Sequence, residues 1–149
     1  MKRRALRTLV LAACLAAGTT AASAQSSGGT RTFRARLSVV PIDLAMAATV
    51  AGTGSVTAVA KGRTLVVTGT FEGLKSPATV VRVHRGPNRG LRGGAIGDLI
   101  ATPATRGEVS GTLELTPAQV DDLEKGRLYV QLHSEGAPEG NLWGWLLPK

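Results

Sequence analysis

Gly107-Glu108-Val109-Ser110-Gly111-Thr112-Leu113-Glu114-Leu115-Thr116-Pro117-Ala118-Gln119 changes period part-way along. Up to Leu115 the chain alternates, with Val109, Gly111, Leu113 and Leu115 set against Glu108, Ser110, Thr112 and Glu114, the two-residue period of a half-buried strand. At Thr116 the alternation stops and a short helix over residues 116–125 is expected. The Thr116 hydroxyl can cap the first free amides, Pro117 stands at the first helical position where its missing N–H costs nothing, and Gln119 completes a capping box. Gly126 is the stop signal at the far end.

Working outward, it is the strand period that recurs. Phe33, Ala35, Leu37 and Val39 alternate with Thr32, Arg34, Arg36 and Ser38, and Pro41 is expected to end that strand. Ser55 to Ala60 and Thr64 to Phe71 read as a hairpin about Lys61-Gly62-Arg63. Ala78 to His84 and Ala95 to Ala101 read as two more strands across an Arg85–Gly94 loop, and Leu44 to Val50 as either a short helical turn or a bridge. Leu128 to His133 and Asn141 to Leu147 close the chain, joined by a turn-rich connector over residues 134–140. About eight short strands and one helix, with no internal repeat, predict an all-β Greek-key or immunoglobulin-like sandwich or barrel.

Composition sets the limits on class. The 149 residues are 43% hydrophobic, 19% charged and only 3% aromatic, with 19 Gly in no period of three. That is one domain's length, too apolar for a disordered chain and not a collagen-like rod. The single Cys excludes an internal disulfide and a four-cysteine zinc site.

The N-terminus carries an address. Met1-Lys2-Arg3-Arg4-Ala5-Leu6-Arg7 is cationic, Leu9 to Ala17 is apolar, and Ala22-Ser23-Ala24 has the small-x-small form that a signal peptidase cleaves. Residues 1–24 are therefore expected to be a secretory signal peptide, residues 25–31 a flexible polar tail, and residues 32–149 the domain. A lipoprotein anchored at Cys14, from Leu11-Ala12-Ala13-Cys14, is the minor alternative; no segment of the mature chain is apolar enough to span a membrane. Removing the leader takes four of the 18 basic residues and none of the 10 acidic ones, lowering the net charge from +8 to +4. The basic residues that remain close together, Arg82, Arg85, Arg89 and Arg92, lack interleaved aromatics, which argues against nucleic acid and leaves an anionic glycan or a solvated loop.

Catalytic signatures are missing: no Gly-x-Ser-x-Gly elbow, no His-Glu-x-x-His, no phosphate loop and no cysteine in the mature chain. The only two histidines, His84 and His133, each close a strand. By alternation Arg82 and His84 share one face, as do Tyr129, Gln131 and His133. If those strand ends are neighbours, the imidazoles converge as ligands for copper or zinc, with Asp98 or Glu135 as a third group; the plain alternative is two strand-end hydrogen bonders. Trp143 and Trp145, split by Gly144, share one face of the last strand, either as packing or as an exposed contact for carbohydrate or protein.

Phe33-x-Ala35-x-Leu37, Val83-His84-Arg85-Gly86-Pro87, Ser110-Gly111-Thr112, Leu128-Tyr129-Val130-Gln131-Leu132-His133, Pro138-Glu139-Gly140 and the final Gly144 together resemble the CHRD domain, first described in chordin and found also in exported bacterial proteins. The resemblance runs from about Thr32 to Leu147 and is most specific between Leu128 and Gly144. It implies a secreted β-rich module with no established enzymatic activity, in which Thr116, Gly126 and Tyr129 serve the fold. Family members commonly carry His-x-His where this chain has Arg82-Val83-His84, and a basic residue in place of Trp143. The leading expectation is thus a non-enzymatic binding or structural domain of the cell envelope or extracellular space, periplasmic or secreted, with an envelope protein among its candidate partners. The alternatives are a metal-binding or redox Greek-key protein using His84 and His133, and a module binding anionic glycan through Arg82, Arg85, Arg89, Arg92, Trp143 and Trp145.

Overall fold

Alternation sends the apolar residues of every long strand to one side of a sheet that closes on itself. The computed structural model describes residues 29–40 and 43–149. The expected signal peptide, Cys14, the cleavage point before Gln25, residues 25–28 of the tail and Pro41 lie outside them. The strands are β1 (Arg31–Val39), β2 (Thr53–Lys61), β3 (Thr64–Glu72), β4 (Ala78–Arg85), β5 (Ala95–Ala101), β6 (Gly107–Glu114), β7 (Leu128–Ser134), β8 (Ala137–Trp145) and the two-residue β9 (Leu147–Pro148). One helix, α1 (Pro117–Glu124), stands between β6 and β7, and a single 3-10 turn, Met46–Ala48, occupies the undecided Leu44–Val50 stretch. Arg31, expected in the tail, already pairs with Ala60.

Every pairing is antiparallel, in the order β2-β3-β6-β5-β4-β7-β8-β1, and β1 returns to β2 to complete an eight-stranded barrel. Of the two architectures expected, the chain adopts the barrel. Eight strands enclose a space that side chains alone can fill, and here Leu37, Leu65, Val67, Val81, Val130 and Leu132 fill it, each fully buried. Leu123 of α1 belongs to the same core. The helix begins as its sequence dictates, with Thr116 accepting from the Gln119 amide, the Gln119 side chain accepting from the Thr116 amide, and Pro117 first in the helix. Gly126, at φ +67°, ends it.

The connector between the last two strands departs from expectation. Ala137, Pro138, Glu139 and Gly140 are not loop but the first part of β8, and Glu135-Gly136 alone turns the chain. The turn-forming composition is real, but it serves a bulge: the β7–β8 register shifts between Leu132 and Ser134, so the backbone ladder is broken there. Two side chains of β7 replace the lost bonds. His133 Nδ1 lies 2.8 Å from the Pro138 carbonyl and Gln131 Nε2 donates to the Glu139 carbonyl at 2.9 Å. Proline, with no N–H of its own, fits a place where the ladder is already interrupted. Gly140, at φ +127°, passes so close to Gln131 that a Cβ there would lie 1.9 Å from its Nε2.

Gly140→Ala is therefore expected to break the Gln131 bond and strain the backbone together, lowering stability by about 2–4 kcal/mol. Urea unfolding followed by tryptophan fluorescence measures it, and an unchanged midpoint would contradict the role given to this glycine.

Candidate functional site

In a barrel wall the outward side chains of a strand normally meet water, yet β7 has none that does. Its outward residues Tyr129, Gln131 and His133 are 1%, 4% and 7% exposed. Register explains which neighbours they share: His84, Tyr129 and Trp145 form one row across β4, β7 and β8, and Arg82, Gln131 and Trp143 form the next. The Arg85–Gly94 loop folds over this face and is tied down at Gly93. Tyr129 Oη donates to the Gly93 carbonyl (3.2 Å) and accepts from the Gly93 amide (3.1 Å), while His84 Nδ1 lies 3.0 Å from the same carbonyl. The glycine-rich stretch thus has a positional reason: a Cβ on Gly93 would come within 1.9 Å of the Arg85 carbonyl oxygen.

The rings beneath form one cluster. His84 stacks on Tyr129 with centroids 4.9 Å apart and planes 14° apart, and His133 lies 6.4 Å from His84. Tyr129 contacts Trp145 at 4.6 Å and meets Trp143 edge-on at 5.8 Å. Both tryptophans are half-buried in this outer layer rather than in the barrel core, and the Arg92 guanidinium sits 5.6 Å from the Trp143 ring centroid.

The two histidines share a further property. A backbone carbonyl only accepts, so each Nδ1 that faces one carries a proton, and in the neutral ring the Nε2 then holds the free lone pair. Both Nε2 atoms are buried and have no hydrogen-bond partner among the described residues. Burial holds the His84 pKa below its ordinary 6.5; the Gly93 carbonyl pulls the other way, and His133, Arg82 and Arg92 add to the lowering. Ligand-free proteins seldom bury unpaired polar atoms, because each costs about 1–3 kcal/mol.

The structure brings together some of the expected residues and separates others. His84 and His133 converge. Neither Asp98 nor Glu135 completes a set with them: Asp98 is bound to Arg82 at 3.0 Å, Glu135 is exposed in the β7–β8 turn, and no group of three His, Cys, Asp or Glu suited to a metal occurs among the described residues. The four arginines are not one patch. Arg85 pairs with Asp122 of α1, a carboxylate 3% exposed that also faces Arg127 at 3.4 Å, whereas Arg92 lies over Trp143, Arg82 is bound to Asp98 and Arg89 is exposed on the loop. Sequence reasoning assigned Tyr129 to the fold, but its hydroxyl fixes the loop over the site. The anchoring carbonyls of Gly93 and Pro138 went unread; the only signals for them were Gly93-Gly94 and Pro138-Glu139-Gly140, which look like ordinary turn chemistry.

The model of the family described as the CHRD domain matches residues 33–146, most of the chain. No curated protein and no solved structure matches it. The chain belongs to the CHRD domain family.

The lowered His84 pKa gives stability a sign. The unfolded chain takes up a proton near pH 6.5 that the folded site resists, so stability is full above that pH and falls below it. Urea midpoints at about pH 7.5 and about pH 5.5 are expected to differ in this direction, and the difference should shrink in His84→Gln. A pH dependence unaltered by that substitution would show that the group titrates freely.

Proposed function

We propose that this CHRD domain is a non-enzymatic binding module that works outside the cytoplasm, and that its ligand is held on the outer face of β4, β7 and β8 by His84 and His133. One observation carries the reading: two imidazoles of fixed tautomer converge under a tethered loop with both Nε2 lone pairs buried and unmatched. An unprotonated Nε2 accepts, so the ligand has to bring a Lewis acid or a hydrogen-bond donor, and a transition-metal ion is the simplest partner that engages two such nitrogens at once. Anionic glycan is the weaker reading, since Arg82 and Arg85 are already paired with carboxylates and Arg92 lies against Trp143.

Export rests on the leader of residues 1–24, and the non-enzymatic character on the lack of a catalytic motif. The strand order β7-β4-β5-β6, with α1 in the long connection from β6 to β7, supports reading the barrel as a Greek key.

The test is to express the full chain, recover it from outside the cytoplasm, determine its new N-terminus and measure its metal content after growth in medium supplemented with copper and zinc. The expected product begins at Gln25 and holds one equivalent of metal, which the double substitution His84→Gln/His133→Gln removes. Retention of residues 1–24, acylation at Cys14, or the same metal content in native protein and double variant would overturn the corresponding part.

A further inference from the structure

The ligand set offered by His84 and His133 is small, neutral and surrounded by positive charge, and these properties together select among metals. The inference rests on the binding reading above and deepens it by naming the ion. Zinc in protein sites is almost always four-coordinate, and copper(II) prefers four ligands in a tetragonal arrangement. Here two nitrogens are present and no third His, Cys, Asp or Glu joins them among the described residues. Both nitrogens are closed to solvent, which leaves little room for waters to make up the number.

Charge points the same way. Arg82 and Arg92 both act on His84, no carboxylate among the described residues does, and Asp98 is paired with Arg82. Repulsion between a bound ion and these guanidiniums scales with the charge of the ion, so a divalent cation meets twice the opposition of a monovalent one.

Geometry adds a third constraint. A nitrogen–metal bond of about 2.0 Å and a ring radius of about 1.2 Å place the centroids of two imidazoles on one ion at most about 6.4 Å apart, and only when the ion lies on the line between them. The centroids of His84 and His133 are 6.4 Å apart. A tetrahedral angle at the metal would require the rings to be roughly an ångström closer. The Nδ1 bonds to Gly93 and Pro138 resist that movement, because each ring is tied to a different piece of backbone.

From these observations we infer that His84 Nε2 and His133 Nε2 are a two-coordinate site for a monovalent d10 ion, copper(I), bound near-linearly beneath the Gly93 loop. Ligand exchange is the only chemistry: the lone pairs of two neutral imidazoles displace the ion's previous ligands, with no change of oxidation state. Arg82 and Arg92 are the charged groups that act on His84 beside His133, and Asp98 is paired with Arg82.

The exported protein is titrated anaerobically with copper(I) supplied as its acetonitrile complex, and in parallel with silver(I), a diamagnetic ion of the same coordination habit, while imidazole nitrogens are followed by NMR. One equivalent is expected to shift both Nε2 resonances and leave the two Nδ1–H donors in place. His84→Gln and His133→Gln should each weaken binding at least about tenfold, as losing a metal-supporting contact commonly does. Arg92→Ala, which alters neither ring, should strengthen it a few-fold by removing a like charge. Unchanged circular dichroism in each variant separates lost ligation from lost folding. A response from one ring only, or zinc(II) displacing copper(I), overturns the copper(I) assignment while leaving a metal-binding module. Failure of copper, silver and zinc alike overturns both, and points to a donor such as a trapped water between the two nitrogens.

Discussion

The interruption of the β7–β8 ladder at Pro138 and Glu139 is the constraint on which the candidate site depends. A barrel wall ordinarily satisfies its backbone within itself and leaves outward side chains to the solvent. Here two carbonyls of β8 are left over, and β7 must turn polar side chains toward them. That need explains why Gln131 and His133 are buried on the outside of a barrel, and why a glycine follows at position 140. The His-then-Pro-x-Gly spacing of this family segment is, in this chain, the sequence image of one bulge and its repair.

Repair has a chemical by-product. A histidine used as a donor through Nδ1 is held in one tautomer, and its other nitrogen is left facing whatever lies across the ring. His133 is committed by the bulge and His84 by the loop, so two unrelated structural demands fix two imidazoles whose ring centroids are 6.4 Å apart. Tyr129 lies between the two demands: its ring stacks on His84 and its hydroxyl grips Gly93 from both sides. The hydroxyl makes two of the three side-chain bonds that hold Gly93 among the described residues, and His84 makes the third.

Much of the fold was legible in local chemistry. Strict alternation located β1, β3 and β6, and Thr116, Pro117, Gln119 and Gly126 located α1 to within a residue, because both depend on neighbours in the sequence. The Ala137–Gly140 stretch was not legible, since proline and glycine in a bulge read as proline and glycine in a turn. For His84 and His133 the shared outward faces could be read from parity, but convergence required knowing that β4 and β7 pair, a contact between residues far apart in the chain. The arginines misled for the opposite reason. Their closeness in sequence suggested one patch, while the strand-to-loop transition at Arg85 sends them to Asp98, to Asp122 and to Trp143.

Closure of the sheet by the return of β1 to β2 has a meaning for encounters with other molecules. A protein that extends a neighbour's sheet needs a row of unpaired amides and carbonyls, and among the described residues every long strand of the ring has a partner on both sides. The domain is thereby shielded from edge-to-edge fibril growth in crowded surroundings where it has no disulfide to hold it. The same closure leaves the outer wall and the loops at the barrel ends as the surfaces that the described residues turn outward.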